Sequence, residues 1–150
     1  MTENSRSEQN DQSRLADLHQ AAALPYRVRK GRLQFCLVSV RSGTSWIMPK
    51  GNIEPGESDP ECAGREAFEE AGLEGRVLEP VLSRYSANKG KKSVEVTVWL
   101  MEVENSLKKW PEKKSRARQW VSPRKAIRLL SRPSLVAPVI DAIRRLEWID

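Results

Sequence analysis

The chain has 150 residues and a formal net charge of +6, enough for one hydrophobic core but short for two independent ones. Two cysteines, Cys36 in an apolar run and Cys62, have neither zinc-ligand spacing nor the pattern of a disulfide framework, so reduced packing residues are the simpler reading. No apolar stretch is long enough to cross a membrane and the N-terminus lacks the apolar segment of a secretory signal, which leads to the expectation of a cytoplasmic protein.

Residues 1–18 are rich in Ser, Glu, Asp, Gln and Arg and poor in large apolar groups, so they are expected to form a disordered polar tail, with one domain over 19–150. His19, the single histidine, adjoins that tail and is assigned no catalytic role. Two strands, Ala21 to Arg29 and Leu33 to Val40, are expected on either side of a Lys30-Gly31 turn, with Trp46-Ile47-Met48 as a third extended piece. Ser58-Asp59-Pro60-Glu61 has a capping-box pattern with an early proline and Gly72 supplies a stop, so a helix is expected from Asp59 to Ala71. On a helical wheel Ala63, Gly64, Ala67, Phe68 and Ala71 share one arc, expected to be buried, and Glu66, Glu69 and Glu70 fall on the opposite, acidic side. Val77 to Tyr85 is a less well marked strand, whereas Val94, Val96, Val98 and Leu100 alternate with Glu95, Thr97, Trp99 and Met101 as a two-faced strand should. Ser122-Pro123 opens a helix through Leu130, and Leu135, Val139, Ile143 and Leu146 give helical spacing up to Trp148.

Glutamates at i, i+3 and i+4 repel one another, so the Glu66, Glu69, Glu70 cluster needs compensation that a divalent cation would provide. Oxygen ligands without His or Cys at ligand spacing favour Mg²⁺, with Mn²⁺ as the second choice, over Zn²⁺. No Gly-rich phosphate loop ending in Lys-Ser/Thr is present, which leaves a P-loop ATPase unsupported.

Gly51, Glu57, Arg65-Glu66, Glu69-Glu70 and Gly72-Leu73 fill every fixed position of the Nudix box, and on these residues the sequence resembles a Nudix hydrolase from about Ala21 to Leu146. The resemblance implies an α/β fold, a Nudix-type α/β/α sandwich with a mixed central sheet and the catalytic loop and helix on one side. It also implies that Glu66, Glu69 and Glu70 are metal ligands together with the Gly51 carbonyl, and that either Glu66 or Glu70 is the base for the attacking water. Glu57 and Arg65 are implied as a supporting pair that orients loop and helix. The reaction would be hydrolysis of a diphosphate linkage, with metal ions neutralising phosphate charge.

Basic residues lie away from the acidic helix, and Arg27, Arg29, Arg41 and Lys50 flank the strands near the box as candidate phosphate contacts. Pro25-Tyr26-Arg27, Ser39 and Arg41 before Trp46-Ile47-Met48-Pro49-Lys50-Gly51, and Arg118-Gln119-Trp120 are similar to the diphosphoinositol polyphosphate and diadenosine polyphosphate phosphohydrolase subgroup. Arg118-Gln119-Trp120 is expected to open the last helical region. Gln119 stands where many relatives carry an acid, which leaves Glu95 and Glu112 as the candidates for an auxiliary carboxylate. Lys89 stands about where an ADP-ribose hydrolase would carry proline. The expected partner is therefore a polyphosphorylated small molecule, with no membrane. An enzyme acting on RNA 5′ ends or on ADP-ribose, and a non-catalytic phosphate sensor, are the alternatives. Nucleic acid binding is open but not favoured, because no recognisable RNA-binding motif occurs and strand tryptophans are more often core residues.

Overall fold

The structure, a computed structural model, describes residues 17–41 and 43–149. The expected tail over residues 1–16 lies outside the described residues, but Asp17 and Leu18 do not behave as tail. Asp17 exchanges hydrogen bonds with Ser93, and Leu18 is the first residue of a strand. That strand starts ahead of the expected Ala21 because parallel pairing begins at Leu18 opposite Val94 and carries His19 into register with Glu95.

Eight strands form one mixed sheet: β1 (Leu18–Arg29), β2 (Arg32–Ser39), β3 (Trp46–Ile47), β4 (Lys50–Asn52), β5 (Leu73–Val77), β6 (Ser83–Lys89), β7 (Lys92–Ser106) and β8 (Arg118–Val121). The path runs β3-β2-β1-β7-β5, with β4 on β1, β6 on β7 and β8 on β2. Among the described residues only the central β1–β7 contact is parallel. The helices are α1 (Asp59–Ala71), α2 (Pro123–Leu130) and α3 (Pro133–Arg145).

Alternation along the central strands builds two cores. Ala22, Leu24, Phe35, Leu37, Val96, Val98 and Leu100 face α2 and α3 through Ala126, Leu130, Val139 and Ala142. Ala21, Ala23, Cys36, Val38, Trp99 and Met101 face α1 through Cys62, Ala63, Ala67 and Ala71. The small residues on α1 and β1 let the helix axis approach the sheet closely, which fixes its side chains relative to β4. The layers are those of the expected α/β/α sandwich.

Departures from the sequence reading have local causes. The single strand expected over Val77 to Tyr85 is two strands separated by residues 78–82, where Pro80 removes a ladder donor. Arg118-Gln119-Trp120 does not open a helix but forms β8, because β2 offers it a free edge at Cys36, Leu37 and Val38. Helix α3 starts at Pro133, a residue suited to a first helical turn, and stops at Arg145 before Leu146 and Trp148.

Candidate active site

The loop between β4 and α1 is closed by reciprocal hydrogen bonds. The Ser58 hydroxyl accepts from the Glu61 amide at 3.2 Å and the Glu61 carboxylate accepts from the Ser58 amide at 3.1 Å, a capping box that starts the helix at Asp59. The Thr97 hydroxyl donates to Asp59 at 2.8 Å and accepts from the Trp99 indole at 3.0 Å, which ties the first turn of α1 to β7.

Arg65 is the hub of the loop. Its guanidinium grips Glu57 through two bonds of 2.7 and 3.0 Å and donates to the Asn52 carbonyl at 3.1 Å. It also donates to Glu66 at 2.9 Å and to Glu69 at 3.2 Å. The bidentate bond holds the Glu57 carboxyl down at about 2, and the same bond pushes the Arg65 guanidinium further up. A lysine at position 65 could not make this fork.

The expected separation of an acidic face from a buried face does not hold for two of the three glutamates. Glu66 and Glu70 are 8 and 2 % exposed and lie within the buried stripe, whereas Phe68 is 37 % exposed. Cys62, Glu66 and Ala63, Glu70 recur at intervals of four and seven, so the stripe is centred near Ala63 and the two carboxylates fall inside it. Cys62, read as an apolar residue, is the signal that would have shifted the wheel. Glu69 stands outside this stripe, with 37 % of its side chain exposed.

Glu66 lies against Gly51, where any β-carbon would collide with its carboxylate. The Gly51 and Asn52 carbonyls each lie 3.5 Å from the Cys62 thiol. Glu70 accepts from the Lys50 amide at 3.2 Å, and its other oxygen, 3.6 Å from Arg116 Nε, is buried without a hydrogen-bond partner. Burial first, and the neighbouring Glu66 second, push the Glu70 carboxyl up to about 9.

Arg116 was not among the expected site residues. It donates to Glu112 at 2.9 Å and to the Ser39 carbonyl at 3.0 Å. Glu112 also accepts from Arg41 at 3.1 Å; burial works against its charge, but the two arginines hold its carboxyl below the usual range. The Ser39 hydroxyl accepts from the Ala117 amide at 2.9 Å, so Ser39 holds the 116–117 backbone against the end of β2. Glu112 therefore stands at the edge of the site, joined to Glu70 through Arg116, whereas Glu95 pairs with Arg84.

Lys50 connects the carboxylates to the other side of the sheet. Its ammonium donates to Gln20 at 3.0 Å, Gln20 donates to Asn52 at 3.0 Å, and burial lowers the lysine pKa. Beyond it lies a pocket of about 310 Å³ whose walls include Met48, Tyr85 and Leu135 and whose cations are Lys50, Lys89 and Arg132. Lys89, Arg132 and Tyr85 were not among the expected site residues, because β6 and the N-terminal end of α3 reach Lys50 only once the sheet has formed. Arg27 and Arg29 are not brought to the carboxylates. Lys50 pairs with Ala22, and Arg27 lies five residues further along β1, roughly 17 Å at about 3.4 Å per residue.

The oxygen-only donor set suits Mg²⁺ or Mn²⁺, and two features fit such an ion: the buried Glu70 oxygen that accepts no hydrogen bond and the Glu66 carboxylate in the space that Gly51 leaves. Among the described residues no three Asp, Glu, His or Cys side chains group as a ready-made cage. The expected trio is thus a buried pair, Glu66 and Glu70, with Glu69 beside it on Arg65.

Residues 17–143 match the model of the NUDIX domain. The chain is 34 % identical to Nudix hydrolase 4 of Arabidopsis thaliana over 109 residues, covering 66 % of this chain and 52 % of that protein. It is 33 % identical to diphosphoinositol polyphosphate phosphohydrolase 3-beta of Bos taurus over 112 residues, 73 % of this chain and 67 % of that protein. The chain thus spans about half to two thirds of the curated relatives it matches. Among solved structures, a binary complex of the C. elegans Ap4A hydrolase superposes with a TM-score of 0.76 at 22 % identity, over 87 % of this chain and 98 % of that one.

Proposed function

The chain belongs to the Nudix family, as a domain match over residues 17–143 establishes, and from that premise we propose that it hydrolyses a diphosphate linkage in a highly phosphorylated small molecule. Nudix hydrolases generally use divalent metal ions; Mg²⁺, with Mn²⁺ as substitute, is the ion proposed here. The observation that carries the reading is the buried Glu66 and Glu70 pair, held beside Gly51 and the Lys50 amide with one carboxylate oxygen accepting no hydrogen bond.

Each residue has a part. Glu66, Glu69 and Glu70 would hold the ion, which supplies neutralisation of phosphate charge and a more acidic water. Arg65, locked on Glu57, keeps Glu66 and Glu69 oriented. Glu66 or Glu70 accepts the proton of the attacking water. Lys50, Lys89 and Arg132 hold the phosphates on the pocket side, and Arg41, paired with Glu112 at the edge of the site, would reach the outer end of the chain.

Pocket composition supports a choice between the two subgroup substrates. A cyclitol carrying phosphates on most carbons needs cations on every wall, whereas Met48, Tyr85, Leu135, Ile47 and Val94 offer apolar and aromatic surface to a nucleobase. The preferred substrate is therefore a diadenosine or other nucleoside polyphosphate, a preference that accords with the name of the Ap4A hydrolase it superposes on. A panel of diadenosine tetraphosphate, an inositol pyrophosphate, ADP-ribose and 5′-triphosphate RNA, assayed with Mg²⁺ and with chelator, tests this. Metal-dependent turnover highest on diadenosine tetraphosphate is expected; tight binding without turnover of any member would make the protein a phosphate sensor instead.

A further inference from the structure

Two basic depressions lie on the α1 side of the sheet, built from segments far apart in sequence. The first, about 470 Å³, is walled by Arg27, Arg29, Lys30, Arg32 and Gln34 at the β1–β2 hairpin. Register puts Arg29 opposite Arg32 and Arg27 opposite Gln34, so these side chains share a face. Among the described residues none of the four cations has an acidic partner. The second depression, about 560 Å³, is walled by Lys108, Trp110, Lys113, Arg116, Ala117 and Arg118.

Stacked cations and indoles join the two. The Arg27 guanidinium lies 3.9 Å from the Trp120 ring centre and the Arg118 guanidinium 4.1 Å from that of Trp110. Strand β8 places Trp120 opposite Cys36 and Arg118 opposite Val38, both on the α1 face, so the row runs from the hairpin to the Arg118–Trp110 layer. Like charges within about 10 Å repel at moderate salt, so a polyanion laid along the row would relieve that cost. Single-stranded nucleic acid fits better than an acidic peptide, because it brings planar bases to stack on arginine and indole faces as well as charge.

We propose that this face binds single-stranded nucleic acid, with phosphates over the hairpin depression and bases against the Arg27–Trp120 and Arg118–Trp110 layers. Binding here does not depend on the proposed hydrolase reading, since the hairpin stands well away from the carboxylates.

Fluorescence anisotropy of a labelled oligouridylate of about 12 nucleotides, titrated with the full chain from about 50 to 300 mM salt, tests the proposal without any turnover measurement. Saturable binding is expected, with a log–log salt slope of about −0.7 per phosphate engaged. Lys30→Glu with Arg32→Glu, both exposed positions, should weaken binding at least about tenfold and flatten that slope. Polyglutamate of equal charge should compete poorly. No saturable binding by the unmodified chain at about 50 mM salt, undiminished affinity in the double variant, or equal competition by polyglutamate overturns the proposal. Should charge reversal lower the melting temperature, Lys30→Gln with Arg32→Gln gives the same readout at smaller charge change.

Discussion

Glu70 shows how a side chain can be unfavourable for folding and useful for binding. Its carboxyl, raised from an ordinary 4.5 to about 9 by burial and then by Glu66, keeps its proton in the metal-free fold across neutral pH. A group whose folded pKa lies above its unfolded value contributes stability that is complete below the unfolded value and is lost as pH rises through the folded one. Metal-free protein should therefore lose stability through this residue between pH 4.5 and about 9. A divalent cation favours the charged carboxylate, so Mg²⁺ affinity should rise with pH across that window, by up to about tenfold per unit. The Mg²⁺-induced rise in Tm should be larger at about pH 8.5 than at about pH 6, and Glu70→Gln should remove the difference. A rise independent of pH in the unmodified chain would contradict this. The types and spacing of the site residues were readable from the sequence, since Gly51, Glu57, Arg65, Glu66, Glu69 and Glu70 stand at fixed distances. Burial was not: the wheel took glutamates as solvent-facing by type, and only Cys62 marked where the sheet would cover them.

Helix α1 reaches its C-terminus without a basic residue in its last turn, and the segment from β7 to β8 supplies what is missing. The Glu69 carbonyl accepts from the Glu112 amide and the Gly72 carbonyl from the Leu107 amide, while Arg118 donates to the Ala71 carbonyl at 2.6 Å. Gly72 sits at φ 64° with Trp110 packed so closely that a β-carbon would stand 2.9 Å from its ring and β-carbon. Arg118→Ala should cost about 2 kcal/mol in urea unfolding, because it strips a charged donor from partly buried carbonyls. It should lower kcat more than it raises KM; stability equal to the parent would show that the carbonyls find other donors. Helix α1 was legible to the residue, since its cap, proline and glycine are all local signals. The hairpin was legible for the same reason: Lys30 and Gly31 both take positive φ in a two-residue turn. Strand β8 was not, because four residues acquire strand geometry only through the edge of β2.

At the scale of the molecule, the parallel β1–β7 contact divides labour between two faces. One face carries α1, the carboxylates and the basic rows; the other carries α2, α3 and the mixed apolar and cationic pocket, with Lys50 joining them. The net charge of +6 was readable, but its partition was not, since Lys89 and Arg132 come to Lys50 on one side of the sheet and Arg116 to Glu70 on the other only in the folded chain. Strand direction likewise carries Arg27 and Arg29 away from the carboxylates, because both lie beyond Ala22, the partner of Lys50, along β1. The account rests on the buried glutamate pair acting on a phosphate chain held from the pocket side. Its most direct test is kcat/KM for diadenosine tetraphosphate with Mg²⁺, in the parent chain and in Glu70→Gln at matched Tm. The account predicts a loss of about a thousandfold or more, with the substrate still bound. Turnover within a few fold of the parent would contradict it.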